Sequence, residues 1–340
     1  MQKVAKWEIM EISMPAEGEF ANPFLDVDVQ ASFTCGKKSY CADGFYDGVE
    51  DGKHIWRVRF APMHEGQWQY RTVSNLPALD SVEGEFECTP PISRGALTVG
   101  THFPNWFCRA DGDPQLIFNE GWYPHPSYED YKPLTENDHP QPNNEDFKQY
   151  ISLLSEYRVN MIVDISQLYA RHPEVYDPVF RWPWKVVDAK NNKFDTEFFN
   201  IEFYRRWERI LSFAKEKEMF IDFELLYDDS VVRPREWGHH PVNKANGGWL
   251  EGNEHDIGWD VMFDVNNEVH KKYVARYLKY TIARLAPYWN ICWEIGAENG
   301  NLAMLDQDLL PWAKLPDEKV ASWYILWGEY IARKDPYGRL

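Results

Sequence analysis

The sequence lacks the features that define several large classes of protein. Its first residues contain no apolar core of a secretory signal peptide, and no run of about 18 apolar residues could form a transmembrane helix. The P-loop, GxGxxG and GxSxG motifs are absent, which leaves nucleotide hydrolysis, dinucleotide binding and acyl transfer without support. We therefore expect a soluble, cytoplasmic protein that does not act at a membrane and carries no cofactor.

Cysteine is scarce, and its spacing does not match a metal site. The chain has 5 cysteines, an odd number, with no CxxC or Cys/His pattern. We expect free thiols, as in a reducing compartment, with a disulfide between Cys35 and Cys41 across a hairpin as the alternative. The pair His239-His240 has no HExxH or comparable spacing beside it, so the sequence predicts no metal site.

Positive charge is also in short supply. Lys and Arg number 36 against 54 Asp and Glu, which gives a net charge of −18. Nucleic acids and anionic membranes bind clustered Lys and Arg, so both are disfavoured as partners. Aromatic residues are abundant by contrast, with 16 Trp, 19 Tyr and 19 Phe. Most of them should pack in the core, but aromatic faces also suit stacking on sugar rings.

The first ninety residues show the alternation of apolar and polar residues that is typical of β-strands. The alternating runs are 4–9, 24–33, 54–60 and 66–73. Turn sequences rich in Gly and Asp separate them, and strands at this spacing predict a β-sandwich of the immunoglobulin-like type. The segment 89–100 holds two prolines and two glycines and reads as a junction. We therefore place a sandwich domain at 1–92 and a second domain at 93–340.

Four motifs in this region carry a resemblance to a known family. They are NPFLDV at 22–27, GFYDG at 44–48, WRVRFAP at 56–62 and EGQWQYRT at 65–72. Together they resemble a β-sandwich domain that precedes apiosidase-like glycoside hydrolase barrels. The resemblance implies an accessory domain and does not identify a substrate.

After the junction, strand patterns alternate with helix patterns. The predicted strands are 115–119, 161–165, 220–226 and one that starts at 289 and ends near 296; the predicted helices are 144–158, 200–218, 267–286 and 317–334; long loops are predicted at 167–195 and 228–263. This order is typical of βα units on a parallel sheet.

Four βα units are half of a TIM-type (β/α) barrel, which has eight. We therefore expect a barrel domain that is truncated after its fourth unit. A half-barrel that pairs with another chain, and an open sheet, are the alternatives. An exposed sheet edge would favour a homo-oligomer.

Strand periodicity predicts which side chains face the barrel interior, because successive side chains of a strand point to opposite faces. The apolar residues Ile291, Trp293 and Ile295 should face the helices. The residues expected on the opposite, inner face are Asp164, Asp222, Glu224, Glu294 and Glu298, with Met161, Val163, Ile165, Ile221, Phe223 and Leu225 facing outward. Inward carboxylates are costly unless they are paired, so several should hydrogen-bond to neighbouring strands.

The segment WEIGAE at 293–298 resembles the acid/base strand of retaining glycoside hydrolases with (β/α) barrels. The resemblance implies that Glu298 is the general acid/base. It also implies an Asn at the position of Ala297, for which the neighbouring Asn299 is a possible substitute. The nucleophile of such enzymes lies on a seventh strand, which four units do not reach.

Carbohydrate is therefore the predicted partner. Residues that follow or end the strands are candidates for substrate binding, namely Trp122, Tyr123, Asp164, Glu224, Tyr227, Glu294 and Asn299. We predict a glycoside hydrolase that cleaves O-glycosidic bonds of a plant or algal poly- or oligosaccharide by a retaining, two-carboxylate mechanism. The alternative is a non-catalytic carbohydrate-binding protein, which Ala297 and the missing half of the barrel favour.

Overall fold

The computed structural model describes residues 1–100, 105–121, 146–164, 182–226, 234–251, 259–296 and 317–339. The chain forms two compact units. The first contains Met1–Ile117, Tyr277–Ile291 and Ile331–Arg339, and the second contains Phe118–Arg276 and Cys292–Tyr330. Because the first unit joins the N-terminal segment to two later segments, compactness does not mark the boundary between residues 92 and 93, which stays a prediction.

The N-terminal segment folds into one curled sheet of seven strands. These are β1 (Gln2–Ala5), β2 (Met10–Ala16), β3 (Val29–Cys35), β4 (Lys38–Glu50), β5 (Lys53–Phe60), β6 (Gly66–Ser74) and β7 (Glu83–Thr89), in the spatial order β1-β7-β6-β3-β4-β5-β2. Strand β1 is parallel to β7, and the other pairs are antiparallel.

Strand β4 turns this sheet into two layers. Its residues 38–43 pair with β3, and its residues 44–50 pair with β5. The rings of Phe33 and Phe60 stack between the layers with centroids 4.3 Å apart. Gly44 lies where β4 passes from one layer to the other, and a Cβ there would come within 2.5 Å of Val29 Cγ1. Only glycine fits this close approach. The two layers of strands confirm the predicted sandwich.

The junction forms a small antiparallel ribbon of β8 (Leu97–Val99) and β9 (Phe107–Arg109). The amide of Gln115 donates to the carbonyl of Phe107 at 2.8 Å, so the chain is still beside β9 at this point. The predicted strand 115–119 is therefore wrong: β10 spans Asn119–Gly121 and begins at the last residue of that range.

The second unit is built on a parallel sheet with the order β10-β11-β14-β15. The remaining strands are β11 (Met161–Asp164), β12 (Trp184–Asp188), β13 (Lys193–Phe199), β14 (Phe220–Glu224) and β15 (Ile291–Glu294); the helices are α1 (Asp146–Glu156), α2 (Ile201–Glu216), α3 (Pro234–His239), α4 (Trp259–Met262), α5 (Glu268–Leu285) and α6 (Asp317–Lys334). Four parallel strands that alternate with helices confirm the predicted partial barrel. Within the described ranges, no helix has both the length and the apolar character needed to cross a bilayer.

The two predicted long loops contain regular structure. Strands β12 and β13 form an antiparallel hairpin that overlaps the predicted loop 167–195, and helices α3 and α4 with a 3₁₀ turn at Lys244–Asn246 lie within 228–263. Burial explains the hairpin, because Trp184 and Phe194 are 2% and 4% exposed. The side chain of Asn200 then caps α2 by accepting a hydrogen bond from the amide of Phe203 at 3.3 Å.

Candidate active site

The helix-facing side of the parallel sheet is defined by aromatic contacts. The ring of Phe223 on β14 lies 5.0 Å from that of Trp207 on α2 and 5.8 Å from that of Trp293 on β15. A Cβ on Gly328 of α6 would lie 3.4 Å from Ile295 Cδ1. These contacts confirm the predicted outward face of the third and fourth strands. Alternation then places Glu224 and Glu294 on the opposite face.

A backbone hydrogen bond fixes the register between β14 and β15. The amide of Leu225 donates to the carbonyl of Glu294 at 2.7 Å. In a parallel ladder an amide bonds to the carbonyl that precedes its partner residue, so Leu225 lies opposite Ile295. One residue earlier, Glu224 lies opposite Glu294. The two glutamates are therefore lateral neighbours on strands about 4.8 Å apart.

The environments of these two glutamates differ. Glu224 is completely buried, whereas Glu294 is only half-buried. Both lie at the carboxyl ends of their strands, the edge at which parallel α/β folds place their chemistry. Half-buried Asp222 lies two residues before Glu224 on the same face. This face of the sheet therefore carries three carboxyl side chains, two at the ends of the strands and one two residues further in.

The second strand departs from its predicted orientation. The register pairs Val163 with Asp222 and pairs Asp164 with Phe223, the residue that faces α2. Paired residues share a face, so the prediction that Val163 faces outward while Asp222 faces inward is wrong by one residue, whereas the orientation of the Asp164 side chain stays a prediction. Met161, Ile162 and Val163 are all apolar, and such a run cannot specify which of its faces is inward.

Most of the remaining predicted site residues lie outside the described residues. These are Glu298, Trp122, Tyr123, Tyr227 and Asn299, and Asp164 is described for its backbone alone. Their roles stay predictions. Of the predicted set, the structure brings together Glu224 and Glu294.

Sequence reasoning missed three arginines around the start of β15. Residues 286–290, which we call the strand root, join α5 to β15 and are all buried. Arg339 donates to the carbonyls of Ala286 and Tyr288. Arg59 and Arg109 also reach this region, and each is at most 8% exposed. Arginine is rarely buried without a partner, but a single sequence carries no signal of burial for residues so far apart.

A second buried polar group lies beside the α4–α5 connection. His270 is 1% exposed, its Nδ1 accepts a hydrogen bond from Trp249 Nε1 at 3.0 Å, and its Nε2 lies 2.9 Å from the carbonyl of Met262. These partners require the neutral tautomer with the proton on Nε2. Burial lowers the pKa of His270 to about 4, against the opposing effects of Met262 and Asp264. His270 is therefore a fixed structural group at neutral pH.

Thiols and candidate metal ligands are scattered in the described part of the chain. All five cysteines are free. Cys35 pairs with Lys38 and Cys41 with Ser32, so the alternative of a disulfide across this hairpin is not realised. No three His, Cys, Asp or Glu side chains among the described residues are grouped as they would need to be to hold a metal ion.

Comparison with known proteins gives a family match and a fold. A model described as a domain of unknown function, DUF5060, matches residues 3–75. The whole chain superposes on a candidate glycoside hydrolase from Bacteroides vulgatus with a TM-score of 0.69 and 21% identity, and covers 55% of that structure. The chain thus spans about half the length of the structure it matches. The comparison with curated proteins finds no match.

Two further solved structures are more distant. A family 5 glycoside hydrolase from Bacteroides vulgatus is 14% identical, with a TM-score of 0.39 over 73% of this chain and 38% of its own. A Bacteroides ovatus family 5 xyloglucanase, solved with a XXXG heptasaccharide, is 10% identical, with a TM-score of 0.30 over 98% of this chain and 60% of its own. The fold of this chain is therefore that of a glycoside hydrolase-like sandwich and partial barrel, on the evidence of the first match.

Proposed function

We propose that this chain is the sandwich and first half-barrel of a glycoside hydrolase that cleaves O-glycosidic bonds of a plant or algal poly- or oligosaccharide. The observation that carries the proposal is the pair Glu224 and Glu294 at the carboxyl edge of the parallel sheet. Glu298 follows Glu294 by four residues in the sequence, and in (β/α) barrels substrates bind at the carboxyl ends of the strands.

Glu298 is the proposed general acid/base of a retaining mechanism. It protonates the glycosidic oxygen as the bond to the sugar breaks, and it then removes a proton from the water that releases the sugar from the nucleophile. This role needs a carboxyl group that is protonated when substrate binds, and nearby negative charge favours the protonated form. Glu224 and Glu294 are the carboxyl groups of β14 and β15 that we propose for this influence. The nucleophile is a second carboxylate on a strand beyond these four.

Substrate contacts are proposed for the residues that follow the strands. Trp122 and Tyr123 offer aromatic faces for a sugar ring, while Tyr227, Asn299 and Asp164 offer hydrogen-bonding groups. Hydrogen bonds to the sugar hydroxyls that strengthen in the transition state would add to catalysis.

The test is the Glu298→Gln substitution in the full-length protein, assayed on polysaccharides and on aryl glycosides. We expect turnover to fall by about 100-fold or more on substrates with poor leaving groups, and by less where the leaving group needs no protonation. Glu216→Gln, on an exposed position of α2, is the matched control and should leave activity unchanged. Undiminished turnover by the Glu298→Gln variant on every substrate would refute the acid/base role.

Ala297 favours a second candidate function, a carbohydrate-binding protein without catalysis, because the resemblance expects Asn at this position. The substitution Ala297→Asn separates the two functions. A hydrolase should gain turnover from the added hydrogen bond to the sugar. Binding on a glycan array, with no product from either the parent or the Ala297→Asn variant, would favour the second function.

A further inference from the structure

We propose that Arg59, Arg109 and Arg339 are positioning residues for the proposed glycosidase reaction. Arg109 and Arg339 contact the strand root, residues 286–290, and Arg59 contacts Arg284 at the end of α5, just before the root. Strand β15 begins at Ile291, the residue after the root, and ends at Glu294. The inference rests on the proposed role of Glu298, but the hold on the strand root is itself measurable without any activity.

The strand root needs partners for its backbone. All five of its residues are buried, and a buried carbonyl without a hydrogen bond costs free energy that the fold must recover elsewhere. Within the root, the amide of Tyr288 donates to Leu285 at 3.0 Å and the amide of Ile291 donates to Tyr288 at 3.3 Å. The carbonyls of Ala286 and Tyr288 also accept charge-assisted hydrogen bonds from an arginine side chain.

Arg339 provides the main hold. Its Nη1 donates to the carbonyls of both Ala286 and Tyr288, so one guanidinium spans the turn. Arg339 is itself fixed, because its amide and that of Tyr337 donate to the carboxylate of Asp335 at 3.3 Å and 2.8 Å. The guanidinium carbon also lies 4.4 Å from the centre of the Tyr337 ring.

The sandwich fixes the same segment from β5. The amide of Ala61 donates to the Tyr337 hydroxyl at 2.8 Å, which ties the Arg339 segment to this strand. Arg59 of β5 donates to the carbonyl of Arg284, at the end of α5, at 3.2 Å. The Nε of Arg59 also donates to the carboxylate of Glu11 at 2.6 Å. The sandwich thus supplies contacts on both sides of the strand root.

Arg109 contacts the largest side chain of the strand root, that of Trp289. Its guanidinium carbon lies 4.8 Å from the centre of the Trp289 ring, and its Nε donates to the carbonyl of Gly95 at 2.9 Å. Trp289 is 1% exposed. A tryptophan ring held by a buried cation cannot rotate or shift without losing that contact, so the root is fixed at its backbone and at its largest side chain.

Strand β15 continues directly from the root, because its first residue, Ile291, follows Asn290. The strand is 4 residues long, so a small rotation at its start displaces the residues just past its end. Misplacement of a catalytic group by about 1 Å can cost about 100-fold in rate. Most of the proposed substrate contacts follow other strands, with Asn299 as the exception, so we expect substrate binding to change less than turnover. The signature of these arginines is therefore a loss of kcat at nearly constant KM.

The experiment uses the full-length protein with Arg339→Met, Arg59→Met and Arg109→Met, each beside its lysine counterpart. Arg71→Met is the matched control, since Arg71 is an exposed sandwich arginine whose partner is Glu83 at 3.2 Å. We expect amide exchange in the peptide 286–296 to accelerate about 10-fold or more in Arg339→Met, because this variant loses the hydrogen bonds that the charged guanidinium donates. We expect kcat to fall about 10- to 100-fold while KM stays within about threefold.

Lysine should partly rescue both Arg59 and Arg339, because each arginine reaches its carbonyls through a single nitrogen, Nη1, and an ammonium with three N–H donors can take the place of that nitrogen. Another outcome is a parent protein without glycosidase activity whose arginine variants still exchange faster in 286–296. That result would support the contact of the arginines with the strand root and would reject the proposed function. Parental exchange and parental kcat in Arg339→Met and Arg59→Met would overturn the proposal. So would equal loss of protection along the whole chain in every arginine variant, since the effect would then be global unfolding.

Discussion

Glu224 and Glu294 lie opposite each other on adjacent parallel strands, on the face that looks away from the helices. Glu224 is completely buried, so water screens the interactions of its carboxyl group with neighbouring groups only weakly. The effect of substituting one of these glutamates on the unfolding free energy should therefore depend on whether the other is present.

We expect Glu224→Gln and Glu294→Gln to be coupled in a double-mutant cycle of unfolding free energy. Either substitution removes the same interaction between the two carboxyl groups, so the two effects should depart from additivity by about 0.5–3 kcal/mol. Chemical denaturation of the four proteins gives the coupling. The pair Glu224→Gln and Glu216→Gln is the control, and its effects should add within about 0.5 kcal/mol. Additivity of the first pair would contradict the register.

Arg284 of α5 and Asp47 of β4 form an ion pair with Nη2 and Oδ1 2.9 Å apart, and both side chains are almost fully buried. Arg57 also binds Asp47, at 2.7 Å. We expect Arg284→Met to lower the unfolding free energy by about 3 kcal/mol, because it leaves a buried carboxylate with one partner fewer. The exposed control Arg71→Met should cost no more than about 1 kcal/mol. Equal denaturation midpoints for the two variants would contradict this ranking.

His270 should make the protein less stable as the pH falls from 6.5 toward 4. Burial lowers its pKa to about 4 in the folded chain, whereas an unfolded histidine titrates near 6.5. Between these values the unfolded state binds more protons, so the unfolding free energy drops by at most about 1.4 kcal/mol per pH unit from this group. Denaturation at several pH values measures the slope, and His270→Gln should reduce it. An identical slope in that variant would refute the assignment.

Gly44 should not tolerate a side chain. A Cβ there would lie 2.5 Å from Val29 Cγ1 and 3.0 Å from the carbonyl oxygen of Arg57. We expect Gly44→Ala to lower the unfolding free energy by about 1–3 kcal/mol through overpacking. Gly238→Ala is the control, because a Cβ at Gly238 meets nothing within 4 Å. Thermal unfolding should therefore show a lower midpoint for the first variant only.

The sequence predicted those elements whose local pattern has one interpretation. The helix at 317–334 was predicted with the bounds that the structure has, because Pro316 and Asp317 mark its start and apolar residues recur along it. Strand β15 was recognised because apolar residues alternate with polar ones at 291–294. In each case the signal lies within the element itself.

The misplaced elements depend on contacts that the local pattern does not contain. The apolar run 116–118 resembles a strand, but the bond from Gln115 to Phe107 keeps the preceding chain beside β9. The hairpin β12–β13 depends on burial of Trp184 and Phe194 in addition to its turn, where Asn191 donates to the carboxylate of Asp188 at 2.7 Å. The three arginines of the strand root come from β5, β9 and the segment after α6, and their convergence is a property of the fold.

The first unit has an unusual consequence for biosynthesis. The hydrogen bond from Ala61 to Tyr337 joins residues 276 positions apart. At translation rates of about 5–20 residues per second, Tyr337 is made on the order of tens of seconds after Ala61. Strand β5 can fold early, but its contacts with the strand root and with Tyr337 form only after the residues in between have been synthesised. The slow formation of these non-local contacts should limit the folding rate.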